Sequence, residues 1–250
     1  MISFEASEEQ QLIQQSVAEF ARSTLAPRVR EFEKQRGISQ DVRLGAHEMG
    51  LGLMALPEAC GGQGLGYVAT ALVEEELGAA DPGAAFGLPG PGAFGRAVME
   101  LATEAQAAGL LAEFASEGGE GRFGAVAWSE PAPCKERAGF VAVATKVDGG
   151  YALNGKKAFV TNAHSADRFV VFAQVEPEKG WAGNGAFVVR KDADGPIVRS
   201  LDIDADEIKT EVARMRSAMS ASGADPERIA RDARRLHQRL IAPIVADLAD

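Results

Sequence analysis

Leu12, Ile13, Val17, Phe20 and Ala21 recur at helical spacing and fall on one face of a helix that must end or bend at Pro27. Ser7 and Gln10 stand three apart just ahead of that run, the spacing of a capping box. A second helical piece with Val29 and Phe32 follows Pro27, and residues 41–49 predict a short helix closed by Gly50. Helical spacing returns at Leu72, Val73 and Leu77 and stops at Asp81-Pro82-Gly83. It resumes at Val98, Met99 and Leu101, and Thr103 with Gln106 forms a second capping box for a helix reaching about Ala115. Between them, residues 85–94 hold three Gly and two Pro and predict a crossing over the surface.

After a Gly/Glu linker at 117–121 the period changes from 3.6 to 2. Strands are predicted over 123–128, 140–147, 151–153, 157–160, 168–175 and 185–190, with short connections that favour an antiparallel meander. Asn154-Gly155 reads as the type I′ turn of a hairpin whose arms are 151–153 and 157–160. From Leu201 the helical pattern returns: Asp204 caps a segment with Ile208, Val212 and Met215, and Asp225-Pro226 opens one with Ile229, Ala233, Leu236 and Leu240. The expected fold class is α+β: an all-helical domain at 1–118, an antiparallel β-domain at 119–198, and a C-terminal helical hairpin at 199–250.

Charge narrows the functional classes. Lys and Arg number 26 against 36 Asp and Glu, a net charge of −10, with no basic stripe, so nucleic acid is not an expected partner. No apolar leader follows Met1 and no run is long enough to span a membrane, which predicts a cytoplasmic protein. Cys60 and Cys134 lack metal-site spacing and His47, His164 and His237 are scattered, so no metal is expected. Gly61–Gly66 is glycine-rich ahead of a helix but follows no strand, which argues against a phosphate loop.

Trp128-Ser129-Glu130-Pro131, followed by the run from Leu153 through Asn154-Gly155-Lys156-Lys157-Ala158-Phe159-Val160-Thr161 to Asn162, resembles the flavin bed of the acyl-CoA dehydrogenase middle domain. Residues 50–66 resemble the helix-to-loop passage of that family's N-terminal domain, and the likeness covers roughly residues 1–195. It implies α,β-dehydrogenation of an acyl-CoA thioester, with hydride transfer to FAD. It also implies that Val126 and Trp128 flank the ring, that Ser129 and Thr161 supply hydroxyls, and that Phe159, beside Val160, lies against the ring. Lys135 stands where the family pattern has a serine, and Pro133 removes a backbone donor from the same loop.

The family's C-terminal helical domain, which carries the catalytic carboxylate, is not visible after Gly195, so no catalytic residue is assigned. FAD is therefore expected to bind weakly or not at all to the isolated chain. The alternative expectation is a non-catalytic subunit in a homo- or hetero-oligomer with a complete dehydrogenase, or a chimeric product without activity. The run from Ala233 to Leu248 resembles the helical lead-in of CHAT-domain proteins, which implies a tail of different origin.

Overall fold

The computed structural model describes residues 6–135, 138–148 and 150–193. The expected C-terminal hairpin and the segment resembling a CHAT lead-in lie outside the described residues.

Seven α-helices occupy the first part of these residues: α1 Glu8–Phe20, α2 Val29–Gln35, α3 Gln40–Glu48, α4 Tyr67–Ala80, α5 Pro82–Phe86, α6 Gly92–Leu101 and α7 Glu104–Ala115. Both capping boxes form. The Ser7 and Thr103 side chains accept from the N–H groups of Gln10 and Gln106, whose amides reach back to the cap backbones. Asp81 ends α4, as expected of a breaker, and also caps α5 by accepting from the N–H groups of Gly83 and Ala84 at 2.9 and 3.1 Å. The face of α1 seen in the sequence buries Val17 and Ala21 in a cluster with Leu25, Val42 and Val73.

The stretch 85–94 does not run over the surface as expected. Pro91 and Phe94 are fully buried, and Gly90 exchanges backbone hydrogen bonds with Arg122 and Gly124 at 2.8 and 3.0 Å. Gly90 serves close approach, since a Cβ there would stand 2.9 Å from the Gly52 Cα, and so does Gly124 opposite, where a Cβ would stand 2.5 Å from the Phe94 Cβ.

Five strands follow: β1 Gly124–Ala127, β2 Val143–Val147, β3 Gly150–Asn154, β4 Arg168–Gln174 and β5 Asn184–Arg190. The pairs β2–β3 and β4–β5 are antiparallel, but β1 runs parallel to β4 from Gly124↔Arg168 to Ala127↔Val171. Val143↔Gln174 is a further parallel pairing, so the sheet is mixed rather than an antiparallel meander. The predicted strand at 157–160 does not form either, and β3 pairs backwards with β2. Gly155 has φ +149°, and a Cβ there would lie 2.5 Å from Ala142. Glycine thus lets the chain pass over Ala142 and leave the sheet, instead of making a hairpin turn.

Helices and sheet share a core. Phe94, Leu111 and Phe114 cluster with Val170 of β4, and the Phe94 and Phe114 rings lie 5.8 Å apart. Glu113 of α7 pairs with Arg168 at the start of β4 at 2.8 Å, a second tie between the layers. Phe94→Ala is therefore expected to cost about 3–5 kcal/mol, as cavities at fully buried aromatics do. The urea unfolding midpoint reads this, and a loss under about 1 kcal/mol would contradict the shared core.

Candidate functional site

Where β1 ends, Trp128 steps out of the ladder and the chain turns through Ser129, Glu130 and Pro131. The second segment, 156–162, arrives from β3. Two hydrogen bonds lay them side by side: the Ala158 N–H donates to the Ser129 carbonyl at 2.8 Å, and the Lys157 ammonium donates to the Trp128 carbonyl at 3.1 Å.

Beneath that junction sits an ion pair. Lys157 Nζ lies 2.9 Å from Glu130 Oε1, with the two side chains only 9% and 7% exposed. Glu130 also accepts from the Val141 and Ala142 N–H groups at 2.6 and 2.9 Å, so both its oxygens are engaged. The ammonium stands 3.7 Å from the centroid of the Phe140 ring. Phe140 in turn meets Trp128 and Trp181 edge-on at 4.9 and 5.3 Å, and Phe172 packs on Trp128 at 4.6 Å. One pair therefore ties three stretches of chain over an aromatic floor.

Burial opposes both charges. For Glu130 that penalty is outweighed by Lys157 and by the two backbone donors, so its pKa falls below the ordinary 4.5. For Lys157 desolvation outweighs the help from Glu130 and the pKa falls below the ordinary 10.5.

The residues expected at the site divide. Ser129 and Thr161 are exposed, Trp128 is 48% exposed, and Phe159 is 70% exposed with φ +56°. A left-handed backbone at an aromatic residue is uncommon. It is held by Ala158 on one side and by Asn162 on the other, whose amide donates to the Phe86 carbonyl at 2.8 Å. Val160 is half-buried, and Val126 packs against the core shared by helices and sheet rather than lying open beside Ser129. Lys135 is exposed, six residues along the chain from Ser129. Sequence reasoning passed over Glu130 and Lys157 as functional positions, although both lie inside the motif that drew attention to this stretch.

The family model of the acyl-CoA dehydrogenase N-terminal domain matches residues 7–118, and that of the middle domain matches residues 125–216. The chain belongs to the acyl-CoA dehydrogenase family. The middle-domain match extends past residue 198, the boundary expected from sequence. A mitochondrial isovaleryl-CoA dehydrogenase of Arabidopsis thaliana is 34% identical over 187 residues, covering 72% of this chain and 44% of the relative. The structure of butyryl-CoA dehydrogenase from Megasphaera elsdenii aligns with a TM-score of 0.67 at 28% identity, over 78% of this chain and 51% of that one. A structure described as PigA with FAD and proline aligns with a TM-score of 0.65 at 26% identity, over 80% and 53% of the two chains. This acyl-CoA dehydrogenase family member thus spans about half the length of the relatives it matches. Among its described residues, no helix is long and apolar enough to cross a membrane, and no group of His, Cys, Asp and Glu could hold a metal ion.

The pair sets a pH dependence. A carboxylate with a depressed folded-state pKa contributes stability that is complete above its ordinary value of 4.5 and is lost as pH falls through the lower folded-state value. Glu130→Gln should cost about 2–4 kcal/mol near neutral pH, and the gap to the wild-type chain should narrow at about pH 3. Denaturant titrations of both proteins at the two pH values check this, and a gap independent of pH would contradict it.

Proposed function

We propose that the chain is a flavin-dependent dehydrogenase acting on acyl-CoA thioesters, and that the junction of segments 126–135 and 156–162 holds the ring of FAD. The observation that carries this reading is Phe159, an open aromatic face fixed in a left-handed backbone beside Ser129. A strained, exposed aromatic with its neighbours pinned is what a stacking platform for a planar ring requires. The donor set suits the ring's polar edge. The Ser129 N–H has no acceptor among the described residues, and the Ser129 and Thr161 hydroxyls are exposed.

FAD, when bound, supplies the acceptor for the hydride leaving the substrate's β-carbon. The chain's own part is to orient the ring through Ser129, Phe159 and Thr161, with Trp128 and Val160 flanking and Val126 supporting the strand beneath. Glu130 is no candidate for removing the α-proton, since Lys157 and two backbone N–H groups already use its oxygens. The base for that step belongs outside the bed.

A second reading is that of a non-catalytic subunit pairing with a complete dehydrogenase. It is favoured by Pro133 and the exposed Lys135, which occupy the loop where the family pattern has small residues and a serine. Substrate separates the two. Under the first reading, anaerobic butyryl-CoA bleaches the flavin of the FAD-loaded chain; under the second, bleaching needs an added complete dehydrogenase.

The bed's strength can be bounded. Two hydroxyls, the Ser129 and Thr161 N–H groups, neither with an acceptor among the described residues, and one aromatic contact at about 1 kcal/mol each give about 5 kcal/mol, a Kd of about 0.2 mM. Titration of FAD into the 250-residue chain, followed by flavin fluorescence, should saturate in that range. Phe159→Ala should weaken binding about fivefold. Absence of saturation by about 1 mM, equivalent to less than about 4 kcal/mol, would contradict the flavin-bed reading.

A further inference from the structure

We infer that Lys157 is a positioning residue whose ammonium aims and polarises the Trp128–Ser129 peptide, so that the Ser129 N–H meets the flavin edge as a strengthened donor. This rests on the flavin-bed reading and gives that bed its directing element.

The Trp128 carbonyl and the Ser129 N–H belong to one peptide unit. In a trans peptide these groups point in opposite directions from a rigid plane, and no cis bond occurs among the described residues. Fixing the carbonyl therefore fixes the N–H. Lys157 Nζ holds that carbonyl at 3.1 Å, from a side chain only 9% exposed. The carbonyl of Ser129 itself is held by Ala158 at 2.8 Å, so the peptides on both sides of Ser129 are anchored. What is left without a described partner between the two anchors is the Ser129 N–H.

The anchor is also charged. A cation donating to a carbonyl draws density along the peptide and makes its N–H a better donor, a cooperative effect that low dielectric enhances. Glu130 on one side and the Phe140 ring on the other keep the ammonium in place despite its burial. Because Glu130 offsets the charge at longer range, the influence is short and runs through the peptide bond. Neither charge is free to act as acid or base, which explains why a buried ion pair sits under a site it does not face directly.

The test uses the full chain and the variants Lys157→Met, Lys157→Gln and Lys157→Arg. Two readouts are taken: the 1H–15N resonance of the Ser129 amide without flavin, and the Kd for FAD. With Lys157→Met the Ser129 resonance should move to lower proton shift and FAD should bind up to about fivefold more weakly, the share that one backbone donor carries in the bed. Lys157→Arg should recover most of both effects and Lys157→Gln, a neutral donor, only part. Arg and Gln variants that differ from each other in this order support the inference even where the Met variant does not fold. A Ser129 resonance and a Kd unchanged across folded variants overturn it while leaving the flavin reading standing. A resonance that shifts among the variants of a chain whose wild type takes up no FAD overturns the flavin reading, and with it the role of the Ser129 N–H as a flavin donor.

Discussion

The organisation of the site depends on the ion pair between Glu130 and Lys157. Removed from water, each charge carries a penalty that only its partner and neighbouring hydrogen bonds offset. Glu130 meets that demand with the Lys157 ammonium and two backbone donors, Lys157 with Glu130, the Trp128 carbonyl and the Phe140 ring. Satisfying both ends forces the loop after β1, the entry to β2 and the segment after β3 into one place. Once those are joined, Ala158 bonds to Ser129 and Phe159 is driven outward into its left-handed conformation. The exposed aromatic is thus a consequence of a buried electrostatic constraint.

The larger fold provides a rigid frame for that junction. β1 cannot shift, because it lies parallel to β4 and packs through Gly124 against α6, where any side chain would collide with Phe94. β4 is anchored from the other side by Glu113 on Arg168 and by Val170 in the core shared with α6 and α7. Gln174, fully buried at the end of β4, donates to the carbonyls of Glu176 and Gly180, shaping the turn that presents Trp181 to the aromatic floor. Its amide oxygen has no partner among the described residues.

How much of this the sequence disclosed follows from the range of the interactions. Both capping boxes, the apolar face of α1 and the break at Asp81 were legible because each is decided within four residues. The extents of β1, β4 and β5 were close for the same reason. The parallel pairing of β1 with β4 was not, since partners 44 residues apart, such as Gly124 and Arg168, are matched only by the packing of α6 and α7 against them. Asn154-Gly155 imitated a hairpin turn, yet Gly155 is there to clear Ala142 on the way to Glu130. The resemblance in the sequence points to the two segments that the structure lays side by side, and within them to Ser129, Phe159 and Thr161. It also names Val126, which packs against the core shared by helices and sheet, while the pair that joins the two segments, 27 residues apart in sequence, needed the fold to be recognised.

The central claim is that the clamped segments 128–135 and 157–162 receive a flavin ring. Hydrogen exchange of the full chain with and without saturating FAD addresses it most directly, because it reports where the ligand sits without asking for turnover. Slowed exchange is predicted at Ser129 and its neighbours and at 157–162, with α1 to α4 unchanged. Protection elsewhere with none at Ser129 would contradict it.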